Sequence, residues 1–156
     1  MKRKVVLGIV LASILATGTV FADGFGIGVH GGFGRIGGGG GLNLAFSNVF
    51  VYIDAIGAGD GYMHVAGAVD FMSLLHNEFV NTLSFYVRVG IGASLWGFGD
   101  DLGLAAGVRA PIGLSWRPID LLEIFLQGVP QIGAQIMPSI GLNWGIGGNL
   151  GIRLWF

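Results

Sequence analysis

The sequence predicts an all-β protein: an eight-stranded, antiparallel, up-and-down transmembrane β-barrel with short loops. Three observations predict it. Apolar residues recur at every second position through most of the chain, which is the period of a strand with two unlike faces. The positions between them hold glycine, amides and the few charges. The third is composition: the 156 residues are 53% hydrophobic and 11% charged, where a soluble domain carries about 25% charge. So little charge cannot cover a soluble surface of this size. A soluble β-sandwich or lipocalin-like barrel would have to turn a mostly glycine face to water.

Residues 1–22 read as a secretory signal peptide that is cleaved, and 23–156 as the barrel domain. Lys2, Arg3 and Lys4 form a basic start, and an apolar run over 5–16 follows. That run is too short to span a bilayer, which takes about 20 apolar residues. Val20-Phe21-Ala22 supplies the cleavage pattern. Removal of the leader leaves five arginines against nine acids, a net charge of −4. Such a chain has no basic patch for nucleic acid. With no cysteine there is no disulfide, no thiolate nucleophile and no cysteine to carry a lipid anchor.

Strands are divided where the alternation breaks or a turn signal falls. The first spans 24–34, with Ile27 and Val29 opposite Gly28 and His30. The second spans 38–46 and ends at the Ser47-Asn48 turn; the third spans 49–57, with Val51 and Ile53 opposite Tyr52 and Asp54. Residues 57–61 form a glycine-rich turn into the fourth strand, 62–72. Residues 73–81 lack alternation and read as a longer connection with a helical turn. The fifth strand spans 82–96 and the sixth 101–116, separated by a turn at 97–100. A tight turn over 117–120 leads to the seventh, 121–135, where Gly128 and Pro130 predict a kink. The eighth, 140–156, alternates Leu142, Trp144 and Ile146 with Asn143, Gly145 and Gly147. It should close the barrel against the first. An even count places both termini on one side, and the leader makes that side periplasmic.

Six outward-phase aromatics, Phe25, Phe46, Phe71, Phe85, Trp116 and Phe156, fall near the strand ends on that side and predict an interfacial girdle. The intra-strand charges are inward-phase, as lipid requires: Asp54, Asp70, Arg88, Arg109, Glu123 and Arg153. Folding the hairpins predicts Arg88 opposite Arg109 and Asp54 opposite His64, all four in one layer, with Asp54 reaching the arginines. Glu123 and Arg153 should pair. The resulting charge network of Asp54, His64, Arg88, Arg109, Glu123 and Arg153 would plug an eight-stranded lumen, which side chains just fill.

Other motifs carry less. The glycine pattern from Gly26 to Gly31 matches a dinucleotide fingerprint but lies on a strand with no helix after it. His30, His64 and His76 lack metal-ligand spacing. Asp54 and His64 have no serine at their predicted height, so a hydrolase site is not assembled.

The ending Gly151-Ile152-Arg153-Leu154-Trp155-Phe156, with alternating apolar residues and a terminal Phe, resembles the assembly signal of outer-membrane barrels. In pattern, the mature chain resembles the small outer-membrane barrels of the OmpX and OmpA-transmembrane-domain type. From Gly107 onward it is also similar to small uncharacterised barrels of spirochaetes. The resemblance implies Ile152, Leu154 and Phe156 as the assembly signal. It implies outer-membrane lipids, the barrel-assembly machinery and periplasmic chaperones as partners, and the bacterial outer membrane as location. The short outer loops depart from the adhesive members of that type. The expectation is a monomeric, non-enzymatic outer-membrane barrel with a plugged lumen, no cofactor and no metal, in a structural or surface role. The alternatives are a small pore or carrier lined by Arg88, Arg109, Asp54 and His64, and, less favoured, a lipid-modifying outer-membrane enzyme.

Overall fold

The computed structural model describes residues 24–34, 39–58, 62–80, 82–98 and 101–156. The predicted leader and the centres of the turns around Arg35, at 57–61 and at 97–100 lie outside the described residues. Nine strands are present among those described: β1 (Phe25–Phe33), β2 (Gly39–Phe46), β3 (Val49–Ala58), β4 (Tyr62–Val80), β5 (Leu83–Phe98), β6 (Asp101–Arg109), β7 (Ile112–Ile119), β8 (Leu122–Met137) and β9 (Gly141–Trp155). Every pairing is antiparallel. β6 and β7 both lie between β5 and β8, one toward each end, so together they form a single wall element. The result is a closed eight-stranded barrel, with β9 pairing back onto β1 as the alternation required. Phe25 and Phe156 complete the seam by exchanging backbone hydrogen bonds of 3.0 and 2.8 Å.

The register fixes the barrel's dimensions. Followed once around from Val29, the pairs lead to Leu142, yet Val29 itself pairs with Ile152, ten residues farther along β9. Eight strands with a stagger of ten tilt by about 40° and give a backbone radius of about 8 Å.

The alternating faces sort in the reverse of a soluble domain. Among the described residues the buried set holds fifteen polar or charged side chains against nine hydrophobic ones and Pro111, while large apolar residues such as Ile53, Ile91, Leu126 and Ile146 are exposed. The interior is therefore polar and the outer wall greasy.

Three local expectations are corrected. Residues 73–81 are not a helical connection: β4 runs on to Val80, paired with β5 as far as Leu83. Register shifts at Asp70/Met72, Ser73/Leu75 and Glu78/Val80 insert extra residues and erase the period of two. The predicted kink in the seventh strand is absent, since β8 pairs with β9 without a shift from Leu122 to Gln135. The break lies instead in the sixth strand, at Ala110–Pro111. Pro111 has no N–H to give the ladder, and Ala110 donates to the Pro130 carbonyl. A residue in an antiparallel strand turns its N and O to the same neighbour, so the donorless nitrogen of Pro130 faces that same break. The turn expected at 117–120 sits at Asp120-Leu121, because β7 continues through Ile119.

Inward aromatics lie over glycines of the next strand. Phe125 pairs with Gly151, and a Cβ on Gly151 would run into the Phe125 ring and the Val29 carbonyl. A Cβ on Gly141 would meet nothing within 4 Å. Gly151→Ala should therefore lower stability by about 1–3 kcal/mol, and Gly141→Ala should leave it within about 0.5 kcal/mol. Urea unfolding in lipid vesicles, followed by tryptophan fluorescence, checks both.

Candidate functional site: the polar lumen

The barrel's interior is its chemical centre, and glycine organises it. Inward residues of successive strands lie in rows, and the polar pairs bridge two strands across a glycine on the strand between. His30, Gly41 and Asp54 share a row, and His30 Nε2 lies 2.5 Å from Asp54 Oδ1. Asp70, Gly90 and Arg109 share another, with Arg109 Nε 3.0 Å from Asp70 Oδ1, an ion-pair distance without hydrogen-bond alignment. Arg153 reaches past Gly28 to donate from Nε to Asn43 Oδ1 at 2.8 Å. Tyr86 reaches past Gly113 and donates to Gln127 Oε1 at 2.9 Å. Neighbouring strands are about 4.8 Å apart, so two long side chains meet over the gap that a missing Cβ leaves.

Glu123 is the most connected group. It accepts from Arg153 NH1 at 2.7 Å, Ser115 Oγ at 2.6 Å and Trp155 Nε1 at 2.6 Å. Arg117 stands 3.9 Å away, with its guanidinium 4.4 Å from the Trp155 ring centre. Charge-assisted bonds of this kind are roughly twice as strong as neutral ones, and here they tie β7, β8 and β9 together at the end that holds the termini. The Arg153 guanidinium also lies 4.9 Å from the ring centres of both Phe50 and Phe125.

Arg88 is held differently. Its guanidinium sits between two rings, 3.5 Å from the Phe50 centre and 3.8 Å from that of Tyr86. Each such contact is worth on the order of 2 kcal/mol at a desolvated site.

All six residues of the predicted network, Asp54, His64, Arg88, Arg109, Glu123 and Arg153, are buried. Glu123 and Arg153 face each other across β8 and β9 and form the ion pair. The other predicted contacts are corrected. Arg109 pairs in register with Gly90, not Arg88, and Asp54 with Ala66, not His64. The hairpins close one residue away from the assumed turn centres, which moves each pair by two, so the four do not form one layer. Asp54 goes to His30 rather than to the arginines, and Arg109 goes to Asp70. His64 lies two residues from Asp54's row toward the β3–β4 loop, opposite Ile56 and Trp96. A serine does share the row of Asp54: Ser94, across Ala66. His30 Nδ1, however, has no hydrogen-bond partner, so no hydroxyl lies on that imidazole nitrogen. The sequence reading missed His30, Asp70, Asn43, Ser115 and Trp155 as partners. The inward phase marked them, but a pairing across an intervening strand needs the register.

The six aromatics expected to form a girdle lie toward the end that holds the termini. Phe71, Trp116 and Phe156 are exposed, and the Phe25 and Phe46 rings stand 5.1 Å apart. Phe85 packs against Phe79, a residue not foreseen, at 6.5 Å.

Fold and interior define the class: a small closed eight-stranded β-barrel with an apolar outer wall and a lumen filled by its own polar side chains. Comparison with protein-family models and with curated proteins gives no match.

Removing one partner of a buried ion pair leaves a charge stranded, which costs about 3–5 kcal/mol. Glu123→Ala should lose about that much stability in urea unfolding. The double variant Glu123→Leu with Arg153→Met should recover a large part of the loss.

Proposed function

We propose that the chain is a non-enzymatic integral outer-membrane β-barrel protein of the small OmpX and OmpA-transmembrane-domain type. In this reading it has a structural or surface role, and its lumen is closed by side chains. The observation that carries this is the inverted distribution of polarity around a closed ladder. Closure leaves no strand edge along the wall to satisfy, and the greasy exterior suits hydrocarbon as it would not suit water. Outward aromatics toward the termini match an interfacial belt. The termini lie on the periplasmic side, outer-membrane lipids surround the wall, and the barrel works as a monomer.

The absence of enzymatic activity is part of the proposal. Its support is that His30 is engaged with Asp54 while its Nδ1 meets no hydroxyl, and that Glu123, which accepts from Ser115, has Arg153 and Trp155 beside it rather than a histidine that could serve as base. The closed lumen is supported by the buried rings and guanidiniums that cross it at Arg88, Arg153, Tyr86 and Phe125.

After cell fractionation the mature chain should remain with the outer membrane through a high-salt wash and be released only by detergent. Recovery from the soluble periplasm without detergent would end the membrane reading. In planar bilayers the purified barrel should show no steady openings. Openings that disappear in Arg88→Ala or Asp54→Ala would favour a pore instead.

Phe156 has two assigned tasks, girdle anchor and part of the assembly signal with Ile152 and Leu154. Deleting Phe156 should reduce the amount of folded barrel in cells at least severalfold while changing stability in detergent by less than about 1 kcal/mol. Heat-modifiable gel migration and urea unfolding measure the two, and equal losses would count against the signal.

A further inference from the structure

The barrel end that carries the termini opens into a cavity of about 280 Å³ between the β4–β5 and β7–β8 hairpins. We propose that this vestibule binds a small oxyanion, namely a phosphate group, through Arg88. The proposal goes beyond the membrane reading and stands on the vestibule's geometry alone.

Arg88 is 6% exposed and lines the cavity. Among the described residues Arg109, Arg117 and Arg153 each lie within ion-pair distance of a carboxylate, and Arg88 does not. Asp70, whose charge Arg88 feels, is engaged by Arg109 at 3.0 Å, so the buried Arg88 guanidinium has no carboxylate of its own in a poorly solvated place. Its two faces are covered by Phe50 and Tyr86. What remains is the rim of N–H donors in the plane of the group, the fork that matches a phosphate. Stacking on both faces also fixes the plane, so little side-chain entropy is left to lose on binding.

The rest of the lining suits such a ligand. Thr82 and Ser84 bring hydroxyls, and Arg117 brings a second positive charge at the mouth. The vestibule's carboxylates do not occupy the site. Glu123 is saturated by Arg153, Ser115 and Trp155. Glu78 is exposed and stands 3.9 Å from His76, and Asp120 is exposed at the β7–β8 turn. On lower β4, Ser73, His76 and Glu78 lie opposite Arg88, Tyr86 and Ser84 of β5.

The phosphate could come free or on a lipid head group, and the test separates the two. The full mature barrel in a non-ionic detergent is titrated with sodium phosphate, with sodium chloride as the ionic-strength control, and in a second arm with dihexanoyl phosphatidic acid. Amide chemical shifts are followed by NMR. The expected result is a saturable change confined to residues 82–88 and 115–123, with affinity reduced at least tenfold in Arg88→Gln and less than threefold in Arg117→Gln. Saturation by the lipid alone supports the site and assigns the lipid as source; saturation by inorganic phosphate supports the site with the free anion. If Arg88→Gln does not fold, the wild-type shift map decides by itself. No saturable change with either probe, changes centred elsewhere, or an undiminished response in folded Arg88→Gln overturns the proposal. The fractionation result would stand in any of those cases.

Discussion

The interior is narrow, and that governs everything placed in it. Eight strands at a stagger of ten enclose a backbone radius of about 8 Å, which leaves room for side chains from opposite walls to meet but not to pass. Arginine, tyrosine and phenylalanine fit there only where a neighbour is small. The glycines of the inward phase meet that condition. Gly28, Gly41, Gly90 and Gly113 each stand between two polar partners of the strands on either side. Glycine is a poor strand residue by entropy and by lack of packing. Its abundance here makes physical sense once each glycine is counted with the pair that bridges over it.

The same arrangement changes what holds the fold together. A soluble barrel gains most from apolar burial, but here the buried apolar cluster is small and centred on Phe50, Tyr52 and Phe125. The wall is held by its closed ladder and by polar contacts that tie strands far apart in sequence, such as Arg153 to Asn43 and His30 to Asp54. In the proposed bilayer setting, apolar wall residues lose little by facing outward, since lipid replaces the core. The charges bear the opposite constraint: each must find a partner inside or remain exposed to the lumen's ends.

The architecture was legible because a period of two survives any error in strand ends. Eight wall elements, their order and the closing pair of first and last strands all follow from phase and from turn residues. The phase of Arg88, Arg109, Arg153, Asp54 and Glu123 was legible for the same reason. Partners were harder. A hairpin centre misplaced by one residue moves a cross-strand pair by two, which is how Arg88 came to be set against Arg109 and Asp54 against His64. Bulges hid the lower half of β4, since three inserted residues remove the alternation. Pro130 was the more visible signal for a break, yet the break fell at Pro111. A proline is tolerated where its missing donor faces a neighbour already interrupted, and that neighbour is known only from the register.

Rows and gaps also explain why one arginine differs from the rest. Arg109 looks across Gly90 to Asp70, and Arg153 faces Glu123 directly. Arg88 lies between Ser73 on β4 and Pro111, whose carbonyl accepts the Arg88 backbone N–H. Neither neighbour carries a charge, and neither is a glycine over which a farther carboxylate could reach. The guanidinium therefore takes the aromatic faces of Phe50 and Tyr86 and leaves its donor rim free. The strand break at Pro111 and the lack of a carboxylate within ion-pair distance of Arg88 are thus one feature of the same row. It falls where the lumen gives way to the vestibule between the β4–β5 and β7–β8 hairpins.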